Sequence, residues 1–468
     1  MNRWAIFEPS ASRTHVMKDP TESNRVVTGP QSHRTLLRVL GVGFGLAVTI
    51  GGTIGMGILR TPGEVAAQLP TPTLFIGIWI LGGVYALLGT ISVAELGAMI
   101  PRSGGWYVFV HRAMGNYPGF VVGWSDWLST CGTLAVIAMV VGEYTAVLVP
   151  RLAGRDESIA LVIVLLFAAL QWRGIRWGSF TQNLTSLLKT IIFAAIAIAA
   201  FTFAGKSAAE APLAVPHSFA FFTALIIALQ GVLYTYDGWY GVIYFGEEVR
   251  NPKRDVVRSM FGGVLLVIAI YLVVNLAYVY VLPMSQLAGE NFAAGAVAQK
   301  IFGAYGDKTI RVLAILSLLS TINAYTLTAP RILYAMSCDE LFARRANRVN
   351  RGGTPTVSLL LSTIAAVLFI VSGTFSAVLA ALAFFFVANY SMAYISVIVL
   401  RRREPDLPRP YRAWGYPWTT LIVLLGSVTF LIGAVISDKK HSLWALLILA
   451  ASYPLYLIVK RLYPPQAA

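Results

Sequence analysis

The sequence predicts an all-α integral membrane protein of twelve transmembrane helices, and three observations predict it. The composition is 57% hydrophobic and only 12% charged, with a mean hydropathy of +0.70, beyond the range of soluble globular domains. Twelve stretches approach or exceed the roughly 20 mainly apolar residues that cross a hydrocarbon core as a helix. Lys and Arg collect on alternate connections between these stretches, as they do on cytoplasmic loops. A helix is the expected state of each stretch because it satisfies its own backbone polar groups where water is absent.

In chain order, residues 1–38 are polar, without an apolar run long enough for a cleavable signal peptide, and are expected to form a disordered cytoplasmic tail. The apolar stretches follow at 39–68, 73–99, 117–149, 158–172, 175–204, 218–245, 256–281, 309–337, 355–372, 375–400, 417–437 and 442–460. Residues 101–116 mix aromatics with Arg102 and Arg112 and are expected along the inner membrane surface. Residues 283–308 are expected to hold a short helical cap over an entrance. Three regions result: the tail, a core over 39–400 in which helices 1–5 and 6–10 are repeats, and helices 11 and 12 with a cytoplasmic C-terminus over 401–468.

With the N-terminus inside, the inner segments hold most of the 36 Lys and Arg, including Arg250, Lys253, Arg254, Arg344, Arg345, Arg348, Arg351, Arg401, Arg402, Arg403, Arg409 and Arg412. Both termini are then cytoplasmic. The net charge of +15 is scattered over short loops rather than gathered on a soluble domain, which points to anionic lipid and away from nucleic acid. The two cysteines, Cys131 and Cys338, define neither a disulfide framework nor a metal cluster.

Glycine weakens a helix interior and is expected there only with a reason. The first stretch contains Gly51-Gly52-Thr53-Ile54-Gly55-Met56-Gly57, which reads as an unwound segment at mid-membrane. The sixth contains Tyr234-Thr235-Tyr236-Asp237-Gly238-Trp239-Tyr240-Gly241, again glycine-rich and here with a carboxylate. Two interrupted helices five spans apart signal an inverted five-plus-five repeat with a binding site at the breaks. The competing reading of the first run is close helix packing through small residues.

At such breaks, unpaired N–H groups attract an anion and unpaired carbonyls attract a cation, so a zwitterion fits between them. An amino acid carboxylate would meet the N–H groups of Gly55, Met56 and Gly57. Its ammonium would meet the carbonyls of Thr53, Ile54, Tyr234, Thr235 and Asp237. Lys189 lies about 21 Å along the fifth helix at ~1.5 Å per residue, too deep to snorkel easily. It must find carbonyls or a carboxylate, or lose its proton. Ser179, Gln182, Ser186 and Lys189 share one polar face by spacing. Asn323, with Ser317, Ser320 and Thr321, forms a polar stripe on the eighth helix, facing either the cavity or a neighbouring helix. Asp237 either orients the break or compensates a cation, while Asp126 and Glu143 have no partner that sequence can name.

The segment Ile54-Gly55-Met56-Gly57-Ile58-Leu59 with Pro62-Gly63 resembles the first-helix signature of the amino acid-polyamine-organocation (APC) superfamily, in particular its L-amino acid transporter (LAT) branch. Ala94-Glu95-Leu96 with Pro101-Arg102-Ser103-Gly104-Gly105, Glu247-Glu248 with Asn251-Pro252, Ala329-Pro330-Arg331 with Tyr334-Ala335-Met336, and Arg409-Pro410-Tyr411 extend the resemblance over most of the chain. The resemblance implies the leucine-transporter fold, with alternating access around a central amino acid site gated by Tyr234. It also implies that Lys189, seven positions after Gln182, takes the place of a sodium ion, through carbonyls near Thr49 and Ile50 and the hydroxyl of Ser320 or Thr321. A titrating Lys189 would instead couple a proton. Arg60 departs from the family pattern, to draw anions outside or to contact lipid headgroups. Glu95, Glu247 and Arg331 read as structural or gate ion pairs at inner helix ends.

The resulting expectation is sodium-independent exchange of small or neutral L-amino acids across the inner (plasma) membrane, with no cofactor and no metal. Alternatives are a proton-coupled symporter, a polyamine or cationic amino acid carrier, or an amino acid-sensing receptor. An enzyme is disfavoured because His15, His33, His111 and His217 fall in loops or the tail and His441 at the last outer turn. The loop from Pro150 to Glu157 has no cysteine, so no disulfide-linked helper subunit is expected.

Overall fold

The computed structural model describes residues 35–203, 205, 218–372, 375–437 and 439–463. Most of the expected tail lies outside the described residues, as do His15, His33 and His217. The helices are α1 (Val42–Thr53), α2 (Gly57–Gln68), α3 (Pro72–Met99), α4 (Trp106–Met114), α5 (Asn116–Leu148), α6 (Asp156–Arg173), α7 (Ile175–Phe203) and α8 (Ser218–Tyr236). They continue with α9 (Pro252–Val281), α10 (Met284–Leu287), α11 (Ala293–Phe302), α12 (Gly306–Cys338), α13 (Thr356–Val371), α14 (Phe375–Arg403), α15 (Trp418–Ser437) and α16 (Lys439–Leu462). No strand, beyond isolated bridges, occurs among the described residues.

Each of the twelve apolar stretches coincides with a helix or with the pair α1 and α2, which is bent by 45° at its break. Among the described residues, eight helices are long and apolar enough to cross a membrane, or nine if the bent pair counts as one span. The segments Ala220–Tyr236 and Thr356–Val371 are apolar but shorter. At 18 residues, α6 has Asp156 and Glu157 in its first turn and Arg173 in its last. Helix starts follow local chemistry: Pro72 opens α3 and Pro252 opens α9, where the missing N–H costs nothing. Asp255 then complements the N-terminal dipole of α9.

The long α5 packs against α12, α6, α4, α14 and α13, while α1 is enclosed by α9, α7 and α12. This placement surrounds the first break with protein, the condition under which non-helical backbone survives at membrane depth. Residues 106–114 depart from expectation. Trp106, Tyr107, Val108, Phe109, Val110 and Ala113 are all buried, because apolar residues cover several faces of α4 and it inserts between α5 and α14. His111, expected in a loop, is on this helix and stacks on Tyr107. Residues 283–308 do contain short helices, and the Gly289 N–H donates to the carbonyl of Gly63 at 2.9 Å, seating them on α2.

At the opposite end of α1 the chain is held by backbone pairing. Leu40 N–H donates to Glu248 O at 2.8 Å and Arg250 N–H donates to Leu40 O at 2.8 Å, a parallel bridge. Ser103 and Phe245 form an antiparallel bridge beside it.

Candidate binding site at the two helix breaks

The first break falls at Ile54–Met56. Ile54 is extended (φ −77°, ψ 95°), so α1 stops at Thr53 and α2 begins at Gly57. The second falls after Tyr236, where Asp237–Tyr240 form a turn with Gly238 at φ +105° before a short 3-10 turn over Gly241–Tyr244. The breaks face each other at backbone distance. A Cβ on Gly238 would lie 2.9 Å from Gly52 C and Thr53 N, and one on Gly57 would lie 2.7 Å from Thr235 Oγ1. Tyr271 of α9, fully buried, has its hydroxyl 2.9 Å from Thr53 O and 2.8 Å from Thr235 O.

Between the breaks lies a cavity of about 380 Å³. It is lined by Gly52, Thr53, Gly55, Met56 and Gly57 from the first break and by Tyr234, Thr235 and Asp237 from the second. Thr133 and Ile137 of α5, Thr321 and Tyr325 of α12 and Phe386 of α14 complete the wall. Sequence reasoning did not single out these other wall residues, apart from Thr321. Thr133 and Ile137 stand four apart on α5, a spacing that places them on one face but cannot say what the face meets.

The two ends of the slot differ. The N–H groups of Gly55, Met56 and Gly57 have no hydrogen-bond partner among the described residues. The carbonyls are partly engaged: those of Thr53 and Thr235 by Tyr271, that of Ile54 by Lys189 and Thr321, and that of Tyr234 by the Asp237 N–H. Those of Thr53, Thr235 and Tyr234 each keep a lone pair for a further donor, whereas that of Ile54 has both engaged. Asp237 adds a buried carboxylate, held by the Tyr240 hydroxyl at 3.0 Å and the Tyr325 hydroxyl at 3.5 Å.

Lys189 is fully buried and donates to Gly51 O at 2.9 Å, to Ile54 O and to Thr321 Oγ1 at 2.9 Å. It therefore joins α7 to α12 and to the first break, through carbonyls displaced from those expected. Thr49 O is taken by Thr53 Oγ1 and Ile50 O by the Ile54 N–H, because α1 stays helical to Thr53 and the freed carbonyls begin later. Of the two hydroxyls expected, Thr321 meets Lys189, whereas Ser320 bonds Ser186 at 3.0 Å and Gln182 at 3.3 Å. Gln182 and Ser186 both donate to Ala47 O, at 3.1 and 2.7 Å. Ser179 leaves this polar face and caps back onto Arg176 O. Asn323 does not line the cavity; it bonds Gln171, Gln182 and Gly178 O, tying α12 to α6 and α7.

The charges without assigned partners now have them. Arg60 meets Glu143 at 3.2 Å and the Tyr144 hydroxyl at 3.2 Å, protein partners that the sequence did not name. Asp126, 1% exposed, accepts from the Tyr244 hydroxyl at 2.9 Å. Arg331 forms a buried ion pair with Glu248, and Glu95 pairs with Arg401 and Arg409. Glu247 bonds Ser103. Burial at the end of the chain's second break pushes the Glu247 carboxyl above its ordinary range.

An apolar all-helical frame that breaks two helices around an amphipolar slot defines a membrane permease for a small polar solute. The chain belongs to the amino acid permease family, whose model matches residues 45–459, and within the APC superfamily it is LAT-like. It is 29% identical over 440 residues to the serine/threonine exchanger SteT of Bacillus subtilis (strain 168), covering 91% of this chain and 98% of that one. The b(0,+)-type amino acid transporter 1 of Mus musculus is 26% identical over 416 residues, with 86% and 84% covered. The Asc-type amino acid transporter 1 of Mus musculus is 27% identical over 392 residues, with 81% and 73% covered. The family and these relatives are transporters rather than enzymes.

Proposed function

We propose that the protein exchanges small or neutral L-amino acids across the plasma membrane, independently of sodium, by alternating access. In this reading the chain crosses the bilayer twelve times with both termini cytoplasmic, and helices 1–5 and 6–10 are inverted repeats. The observation that carries it is the cavity between the breaks, with bare N–H groups of Gly55, Met56 and Gly57 on one wall and Asp237 with the carbonyls of the second break on the other. The substrate carboxylate binds the N–H groups and its ammonium binds Asp237 and the remaining carbonyl lone pairs. Tyr234, on the cavity wall, closes over it. Lys189 supports sodium independence, since its ammonium occupies the carbonyls and hydroxyl that a metal ion would need. The relatives, amino acid transporters and a serine/threonine exchanger, support amino acids as substrate and exchange as mode.

The test is uptake into proteoliposomes of a labelled amino acid panel, with and without internal amino acid, in sodium and in choline. The expected result is uptake that internal amino acid accelerates many-fold and that sodium leaves unchanged. Specific binding without any flux would make the protein a receptor and defeat the proposal.

A second reading, a carrier of cationic amino acids or polyamines, is favoured by Asp237, which forms no ion pair with a described Lys, Arg or His. Preference for lysine over serine and leucine in the same panel would select it.

A further inference from the structure

Below the central cavity lies a second one of about 330 Å³, lined by Val48, Thr130, Tyr240, Tyr244, Tyr325 and Thr328 among others. Gly52 and Tyr325 border both cavities, and consecutive residues of the second break line one each, Asp237 the central cavity and Gly238 the other. The lower cavity is therefore the next space on the route from the breaks towards the Leu40–Val249 bridge. Its tyrosines serve two carboxylates. Tyr240 and Tyr325 reach Asp237 on the upper side, and Tyr244 reaches Asp126.

Asp126 has no role in the substrate site and does not line it. Its carboxylate has one side-chain partner, the neutral Tyr244 hydroxyl at 2.9 and 3.1 Å, and no described Lys, Arg or His forms an ion pair with it. The titratable groups acting on it are Tyr244, from the turn after α8, Tyr240 and Asp237, from the second break, and Tyr325, from α12. None of these brings a positive charge. An ionised carboxylate at this depth, beside a second carboxylate, is costly, and the one hydrogen bond from Tyr244 offsets only part of that cost, whereas the neutral acid can still accept from Tyr244. Tyr244 also belongs to the inner closure: its carbonyl accepts from Gly104 N–H at 3.3 Å, and its ring fills the space of the missing Gly105 side chain. Opening the inner face must move Tyr244 and bring water to Asp126.

We infer that Asp126 is a proton-coupling site: a proton passes from the central cavity by way of Asp237, Tyr240, the lower cavity and Tyr244 to Asp126, and leaves to the cytoplasm when the inner face opens. The balance is simple. Asp126 carboxylate plus a proton gives the acid in the closed state, and the acid returns the proton to bulk water in the inward-open state. Tyr240 and Tyr244 each accept and donate one proton, and a cavity of this size has room for the water between them. One proton then accompanies each net inward passage of substrate, while one-for-one exchange moves no net proton.

This rests on the transport reading, and the experiment separates the two. Proteoliposomes carrying an internal pH dye receive L-serine, L-leucine or L-lysine without internal amino acid, and counterflow of each is measured in parallel. The expected result is internal acidification by wild type with the amino acid that gives counterflow, and loss of acidification with retained counterflow in Asp126→Asn. Tyr244→Phe keeps the carboxyl but removes its relay, and should slow acidification several-fold while counterflow persists; it serves if Asp126→Asn does not fold. Acidification by either folded variant at the wild-type rate, or counterflow by wild type without acidification, would overturn the inference. Absence of counterflow for all three amino acids in wild type would strike the transport reading instead.

Discussion

The hydroxyl of Tyr271 lies 2.9 Å from the carbonyl oxygen of Thr53 and 2.8 Å from that of Thr235, so the ends of both interrupted helices share its one proton. A carbonyl freed by unwinding has lost its helical donor, and in a dry interior it needs another. Tyr271→Phe preserves the volume and removes that donor. It should lower stability by about 1–2 kcal/mol, read as a reduced Tm in detergent, and weaken substrate binding because the breaks lose their shared tether. An unchanged Tm and unchanged affinity would remove Tyr271 from the site.

Lys189 supplies hydrogen-bond donors at the lower edge of the first break. Lys189→Ala leaves Gly51 O without its donor, at about 1–3 kcal/mol for a buried group, and Ile54 O with Thr321 alone. Proteoliposome flux should fall to background while the purified variant still elutes as a folded species. Wild-type flux in this variant would show that the ammonium has no part in transport.

Gly238 is held at φ +105° with its open side against the backbone of Gly52 and Thr53. Gly238→Ala therefore meets both conformational strain, on the order of 1–3 kcal/mol, and a wall of peptide atoms that cannot rotate away. Uptake should be lost and the Tm should fall. Gly154, also at positive φ but with open space around it, offers the comparison. Gly154→Ala should cost only the strain and leave uptake intact.

Arg331 and Glu248 pair at 2.8 Å with side-chain exposures of 2% and 0%. Removing one partner strands the other charge, a loss of about 3–5 kcal/mol in comparable buried pairs. Arg331→Met should therefore express poorly or unfold early, and adding Glu248→Leu should recover most of the lost Tm. A double variant as unstable as the single one would mean that the pair does more than neutralise itself.

The breaks were legible because glycine clusters and a lone aspartate stand out within apolar helices, and the unwound residues at 54–56 and 237–240 fall within those clusters. Partnerships were not legible. Arg60 with Glu143, Asp126 with Tyr244 and Arg331 with Glu248 join positions 83 to 118 residues apart, and nothing local in the chain encodes which distant helix each will meet. The expected position of residues 101–116 at the surface failed for a related reason. Aromatic residues suit an interface and a core equally well, and only the packing of α4 between α5 and α14 decides between them. Lys189 shows the intermediate case: its depth and its need for carbonyls could be derived from helix geometry, but the identity of those carbonyls depended on where α1 stopped.

Two peptide hydrogen bonds latch the start of the first helix, Leu40 giving to Glu248 and taking from Arg250, beside the Arg38 side chain on Glu247 O and the contact of the Phe44 and Phe245 rings. Such a latch is indifferent to which amino acids carry it. Sequence drift of the kind that separates distant kin would leave its strength nearly untouched, and only an imino acid at position 40 or 250 would delete one of its two donors. The strength of this latch is thus written largely in the main chain, where ordinary point substitution has little purchase.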